Sequence, residues 1–163
     1  MGRNLNVGDF RPISQGNLHL EAGIQKHCFN DVPSNCDKYG GLYRWYETAY
    51  GGLTEGEKMV GSHVQGICPD GWHIPSKEEF EVLVQYAGGM KGLRVSSTGW
   101  CDGVCNSTGF NAFLCGTYPG LWAPEETVYR ISNDSWIYVM YPGYDVWLQG
   151  YIDAAYSVRC IKN

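Results

Sequence analysis

The 163-residue sequence contains no run of about 18 apolar residues, so no membrane-spanning helix is expected. Its amino-terminal "MGRNLNVGDF" is polar and lacks the apolar stretch of a signal peptide. A chain of this kind found outside the cell would have lost a leader or left by another route. Basic residues are scarce, 12 Lys and Arg against 17 Asp and Glu, giving a net charge of -5, and they form no cluster. Nucleic-acid binding rests on grouped cations facing phosphates, so that partner is not expected. Catalytic signatures are missing as well: there is no G-x-S-x-G, H-E-x-x-H, phosphate-binding loop or dinucleotide fingerprint. Cys101 and Cys105 form a C-x3-C pair with Cys115 downstream, but no second pair of Cys or His follows at zinc-finger spacing. The sequence therefore points to no catalytic residue, no metal and no cofactor.

Cysteine itself is plentiful. The seven, at 28, 36, 68, 101, 105, 115 and 160, indicate an oxidising destination, and their odd number leaves at least one thiol unpaired. Two N-x-[ST] tripeptides, at Asn106 and Asn133, matter where the source glycosylates. The 22 glycines are spread along the chain, as in a loop-rich fold, and the length suits one domain spanning residues 1–163. The clearest helix is "PSKEEFEVLVQYAGG", residues 75–89. Ser76 and Glu79 form an S-x-x-E capping box, and Gly88 and Gly89 end the helix. Phe80, Leu83, Val84 and Ala87 make one buried stripe opposite Lys77, Glu78, Glu81 and Gln85. Residues 40–50 are ambiguous between helix and strand. Beyond residue 90, short β-prone pieces alternate with turn residues. The class is α+β, with its helical part early and its sheet late.

Three blocks carry a family resemblance: "HCFNDVPSNCDKYGGLYRW" (27–45), "VQGICPDGWHIPSKEEFEVL" (64–83) and "YSVRCIKN" (156–163). They resemble the Fibrobacter succinogenes major paralogous (FISUMP) domain. That resemblance implies a C-type-lectin-like fold with early helices, a small twisted antiparallel sheet and long loops that serve as a ligand platform. It also implies the disulfide pairs Cys28–Cys36 and Cys68–Cys160. The chain departs from the family where "VYRISNDSW" (128–136) replaces an F-W-S-S-T segment and "FLCGTYP" (113–119) replaces A-L-P-G-G.

Calcium-dependent sugar binding needs a compact set of oxygen ligands. Glu125, Glu126, Asn133 and Asp134 offer some, but the E-P-N, Q-P-D and W-N-D motifs of such lectins are missing. His73, inside a family block beside Trp72, reads as a packed, hydrogen-bonded core histidine rather than a general base, since no nucleophile accompanies it. His19, His27 and His63 lie in unpatterned contexts. The related fold of formylglycine-generating enzymes uses catalytic cysteines, but no activating basic residue flanks Cys101, Cys105 or Cys115.

The aromatic residues are concentrated late, with nine of the chain's 23 between positions 117 and 153. Family similarity places Trp136 and Met140 at inward positions, so the period of two puts Ile137, Val139 and Tyr141 on the opposite side. From Val128 to Ile161 there is no Lys or Glu. Apart from Trp136, Met140, Trp147 and Gln149, every residue there can be encoded by a pyrimidine-ending codon. C-type-lectin-like domains, FISUMP-like ones among them, are recurrent targets of diversity-generating retroelements, which mutate adenines in AAC and AAT codons. The expected ligand-binding residues, within a variable region of residues 117–155, are Tyr129, Arg130, Asn133, Ile137, Val139, Tyr141, Tyr144, Asp145, Tyr151 and Asp153. A mixture of Tyr with small polar residues combines rigid contact area with adaptable hydrogen bonding. The expected partner is a surface protein or a glycan, met outside the cell, at a cell surface or on a virion. Two alternatives stand beside this reading: a structural envelope or oligomerisation module, and a cysteine-dependent enzyme.

Overall fold

The structure, a computed structural model, describes residues 3–13, 23–44, 47–48, 65–93, 106–112, 130–131, 137–141, 146–150 and 155–163. For 130–131, 137–141 and 146–150 it describes the backbone. Two α-helices are defined among these residues, α1 (Pro33–Tyr39) and α2 (Lys77–Tyr86). Helix α2 begins where the capping box predicts. Ser76 Oγ accepts from the Glu79 amide at 3.2 Å, and the Glu79 carboxylate accepts from the Ser76 amide at 2.8 Å. Two of the orphan amides of the first turn are thereby satisfied. Phe80 is buried with Met90, Leu93 and Ala112, while Leu83, Val84 and Ala87 pack on the same cluster. Helix α1 has only seven residues, too few to persist alone. Pro33 starts it, Gly40 at φ +86° ends it, and a disulfide from Cys36 to Cys28 pins it to the preceding turn.

Among the described residues nine strands follow the order β1 (Asp9–Phe10), β2 (Gln25–Lys26), β3 (Leu42–Tyr43), β4 (Trp72–His73), β5 (Arg130–Ile131), β6 (Ile137–Tyr141), β7 (Val146–Gly150), β8 (Tyr156–Ser157) and β9 (Ile161–Lys162). The α+β class holds, but the division into an early helical part and a late sheet does not. Four strands precede residue 90, and β1 pairs with β2 in parallel. These strands are two residues long, too short to show a period of two, and they exist because distant segments pair with them. Strand β3 pairs antiparallel with β8, and β4 with β9. The ambiguous 40–50 stretch thus contributes β3, followed by a helical-type bond from the Thr48 amide to the Arg44 carbonyl at 3.0 Å.

The carboxy-terminal residues hold these pieces together. Positions 155 to 160 are all buried. The Leu5 amide donates to the Val158 carbonyl at 2.8 Å, and the Gly41 amide to the Leu5 carbonyl at 2.8 Å, so the two ends of the chain and the β3 segment meet. The main apolar cluster draws Leu5, Tyr43, Val158 and Cys160 from these three regions and adds Ile67, Cys68 and Ile74 from the segment around β4. Fully buried Tyr43 spends its hydroxyl on Val7, accepting from the amide at 2.8 Å and donating to the carbonyl at 3.0 Å. Gly66, at φ +52°, packs so close to the Thr48 carbonyl that a Cβ would lie 2.1 Å from its oxygen. The glycine in V-Q-G-I-C is thus needed both for its conformation and for its lack of a side chain.

Both disulfides implied by the family resemblance are present. Cys68 and Cys160, separated by 92 residues, join the fourth-strand region to the chain end. Replacing both with Ser should lower the unfolding free energy by on the order of 4 kcal/mol in the chain-entropy account, read from urea denaturation of the folded variant. A loss below about 1 kcal/mol would mean that the unfolded chain gains little freedom when this bridge is removed.

Candidate functional site

The three-stranded sheet β5–β6–β7 contains every described residue of the expected 117–155 region except Ala155, which is buried against Leu42. Its register is antiparallel throughout. Arg130 lies opposite Val139 and Ile131 opposite Tyr138, while Val139 pairs with Leu148, Met140 with Trp147 and Tyr141 with Val146. Directly opposed residues of an antiparallel pair occupy the same face. One face therefore holds positions 130, 137, 139, 141, 146, 148 and 150, and the other holds 131, 138, 140, 147 and 149.

Four expected binding residues, Arg130, Ile137, Val139 and Tyr141, are brought to the first face. Met140 is on the second, together with Trp147 and Gln149. Val146 and Leu148 join the first face and were not among the expected binding residues. The signal for them was the four-residue Pro142–Asp145 connection, which lets Tyr141 face Val146 and so fixes the parity of the following strand. Tyr129, Asn133, Tyr144, Asp145, Tyr151 and Asp153 lie outside the described residues, as do Trp136, Glu125, Glu126, Asp134, Cys101, Cys105 and Cys115.

His73 is 3% exposed and has both ring nitrogens engaged. Nδ1 lies 2.6 Å from Asn163 Oδ1, and Nε2 lies 3.0 Å from Glu79 Oε1. The carboxylate that caps α2 therefore also holds the histidine of β4, which accords with a packed, hydrogen-bonded role. A second buried histidine, His27, was not singled out by its sequence context. Its backbone pairs with Leu42, and its Nδ1 lies 2.8 Å from the Arg11 carbonyl. A carbonyl can only accept, so Nδ1 carries the proton and Nε2 the lone pair.

Arg159 is 2% exposed and connects three segments. Its Nε donates to Asn4 Oδ1 at 2.7 Å, Nη2 to the Asn111 carbonyl at 2.6 Å, and Nη1 to the Phe110 carbonyl. The guanidinium also lies over the Phe110 ring, 4.2 Å from its centroid, a cation–π contact. A reciprocal amide clip positions these acceptors. Asn106 Nδ2 donates to Asn111 Oδ1 and the Asn111 amide donates to Asn106 Oδ1, both at 2.8 Å. Both asparagines are left-handed, at φ +54°, a region that Asn tolerates better than most residues. The side chain of Asn106, first residue of an N-x-[ST] tripeptide, is thus part of the loop that receives Arg159.

Among the described residues no group of three or more His, Cys, Asp or Glu could hold a metal ion, and no helix is long and apolar enough to cross a membrane. The model of the Fibrobacter succinogenes major domain matches residues 1–162, and the chain belongs to that family. The match reaches beyond the blocks that bracket 27–163 to include Asn4 and Leu5, the amino-terminal partners of Arg159 and Val158. Comparison with curated proteins gave no match, nor did comparison with solved structures.

Two outcomes follow from these polar joints. Arg159→Lys keeps the charge but replaces a planar fork with a single ammonium, which cannot reach three diverging acceptors. It should cost about 2–3 kcal/mol in chemical denaturation, the usual cost of leaving buried acceptors unmet; a change within 0.5 kcal/mol, the range of ordinary surface substitutions, would contradict this role. Burial pushes the His27 imidazole below its ordinary 6.5, and nearby Arg44 pushes it the same way. The bond to Arg11 and the carboxylates of Glu47 and Asp31 oppose the shift without cancelling it. The unfolded chain therefore takes up a proton before the folded one does. His27's contribution to stability is complete above about pH 6.5 and declines as pH falls from there toward the lowered folded value. Denaturation midpoints measured at pH 7.5 and 5 should show that decline, and His27→Gln should reduce it.

Proposed function

We propose that this chain is a ligand-binding display module of C-type-lectin-like architecture. Residues 117–155 form a target-binding surface diversified by a retroelement, and the module works outside the cell, on a cell surface or a virion. The observation that carries this reading is the division of residue types between the two faces of β5–β6–β7. Met140, Trp147 and Gln149, whose codons do not end in a pyrimidine, all lie on one face, beside Ile131 and Tyr138, whose codons can. Arg130, Ile137, Val139, Tyr141, Val146, Leu148 and Gly150 share the other, and every one of them is reachable by adenine substitution in AAC or AAT. A wholly substitutable face opposite one that gathers the unreachable residues accords with a diversified contact surface on a more constant scaffold.

The chemistry supports the same reading. Interfaces concentrate their energy in a few large residues, and Tyr supplies contact area at small entropy cost. The two disulfides accord with an oxidising location, and all four of their cysteines lie outside residues 117–155.

Two measurements test the proposal. Sequencing the DNA beside the gene should reveal a reverse-transcriptase frame and a near-copy of the last hundred or so bases that differs at adenines. Without that pair, diversification is refuted. Replacing Tyr141 and Tyr144 with Ala should abolish binding of the labelled protein to the particles or cells that bear its target, while the Tm stays nearly constant. Intact binding with a large fall in Tm would assign both rings to the core.

A further inference from the structure

We propose that the occupant of this surface is a protein patch with an apolar centre and a carboxylate at its edge, and that Val146 and Leu148 belong to the contact set. The inference rests on the reading of the sheet's two faces given above and goes on to choose between protein and glycan. Across the sheet, Val139 stands between Arg130 on β5 and Leu148 on β7, and Tyr141 stands opposite Val146. The face thus combines four aliphatic positions, one phenol and one guanidinium at the β5 edge.

A sugar is recognised through paired hydrogen bonds to its hydroxyls, and burying those hydroxyls against aliphatic groups leaves them unpaired at a cost of about 1–3 kcal/mol each. Aliphatic positions return nothing for that cost. Against an apolar protein patch, the same positions gain about 25 cal/mol for each Å² removed from water. Arg130 at the edge favours a partner that brings a carboxylate, since rim charges steer association and select orientation. Size sets a limit: five residues along β6 span about 17 Å, and three strands about 10 Å, on the order of 170 Å². A standard interface covers about 800 Å² on each partner, so this face is the anchor of a larger contact rather than the whole of it.

The probes are a disulfide-constrained peptide library displayed on phage and a glycan array, each applied to the full oxidised chain. The expected peptides carry aromatic or aliphatic residues beside Asp or Glu. Their affinity should fall by about tenfold or more in Val139→Ser and in Leu148→Ser, the range of interface anchors. Arg130→Gln should weaken the salt dependence of binding, and Gln149→Ala, on the opposite face, should leave peptide affinity unchanged. Failure to select any peptide, or peptides indifferent to both serine variants, would overturn the inference. So would a glycan whose binding those variants abolish, although the reading of the two faces would then survive. If the serine variants unfold while Gln149→Ala abolishes peptide binding, the reading of the faces itself is wrong.

Discussion

The buried guanidinium of Arg159 is the joint on which the described fold depends. Removing a cation from water is expensive unless each of its donors finds an acceptor. Here the acceptors come from residue 4, from the 110–111 carbonyls and from the π-face of Phe110. Each acceptor is itself held in place. Asn4 also donates to the Tyr39 carbonyl at the end of α1, and the 106–111 loop is fixed by its paired asparagines. Satisfying one charge therefore fixes the amino terminus, the end of α1 and the loop beside α2 relative to the chain end. Phe110 extends this order by meeting Phe80 of α2 edge-on at 6.3 Å.

The neighbours of Arg159 spread the same constraint. Tyr156 and Ser157 complete β3, Val158 receives Leu5, Cys160 bonds Cys68, and Ile161 and Lys162 complete β4. Isolated two-residue ladders have little stability of their own in water. The β3–β8 and β4–β9 ladders persist because one continuous segment supplies a partner to both, so forming one favours forming the other. The cost of closing such long loops is met once, after the last residues of the segment are in place.

Local features were legible in the sequence. The capping box of Ser76 and Glu79, the stripe from Phe80 to Ala87 and the packed state of His73 follow from spacing and residue type, and the structure has all three. The disulfides followed from the family blocks, which also gave the family. Long-range features were hidden. Nothing in "GDF" or "IQK" announces a parallel pair, because two residues carry no period and the pairing is decided by tertiary context. The family block "YSVRC" pointed to the chain end, but a single arginine reads as a surface charge until its acceptors are known. At the candidate site, parity placed Ile137, Val139 and Tyr141 on one face, and the antiparallel register added Arg130, Val146 and Leu148.

This division gives the proposed function a physical basis. A surface that must accept many sequences needs its stability fixed elsewhere, and buried residues 156–160 supply much of that fixation just after the proposed variable region ends. Native-state hydrogen exchange on the full chain tests the keystone role of this segment most directly. The amides of Leu5, His27, Leu42 and Ala112 donate, respectively, to Val158, Leu42, His27 and Leu93. If the carboxy-terminal segment makes these regions one cooperative unit, all four should exchange through the same global opening, with free energies agreeing within about 0.5 kcal/mol. Exchange of Leu5 through a local opening several kcal/mol below the other three would contradict the account.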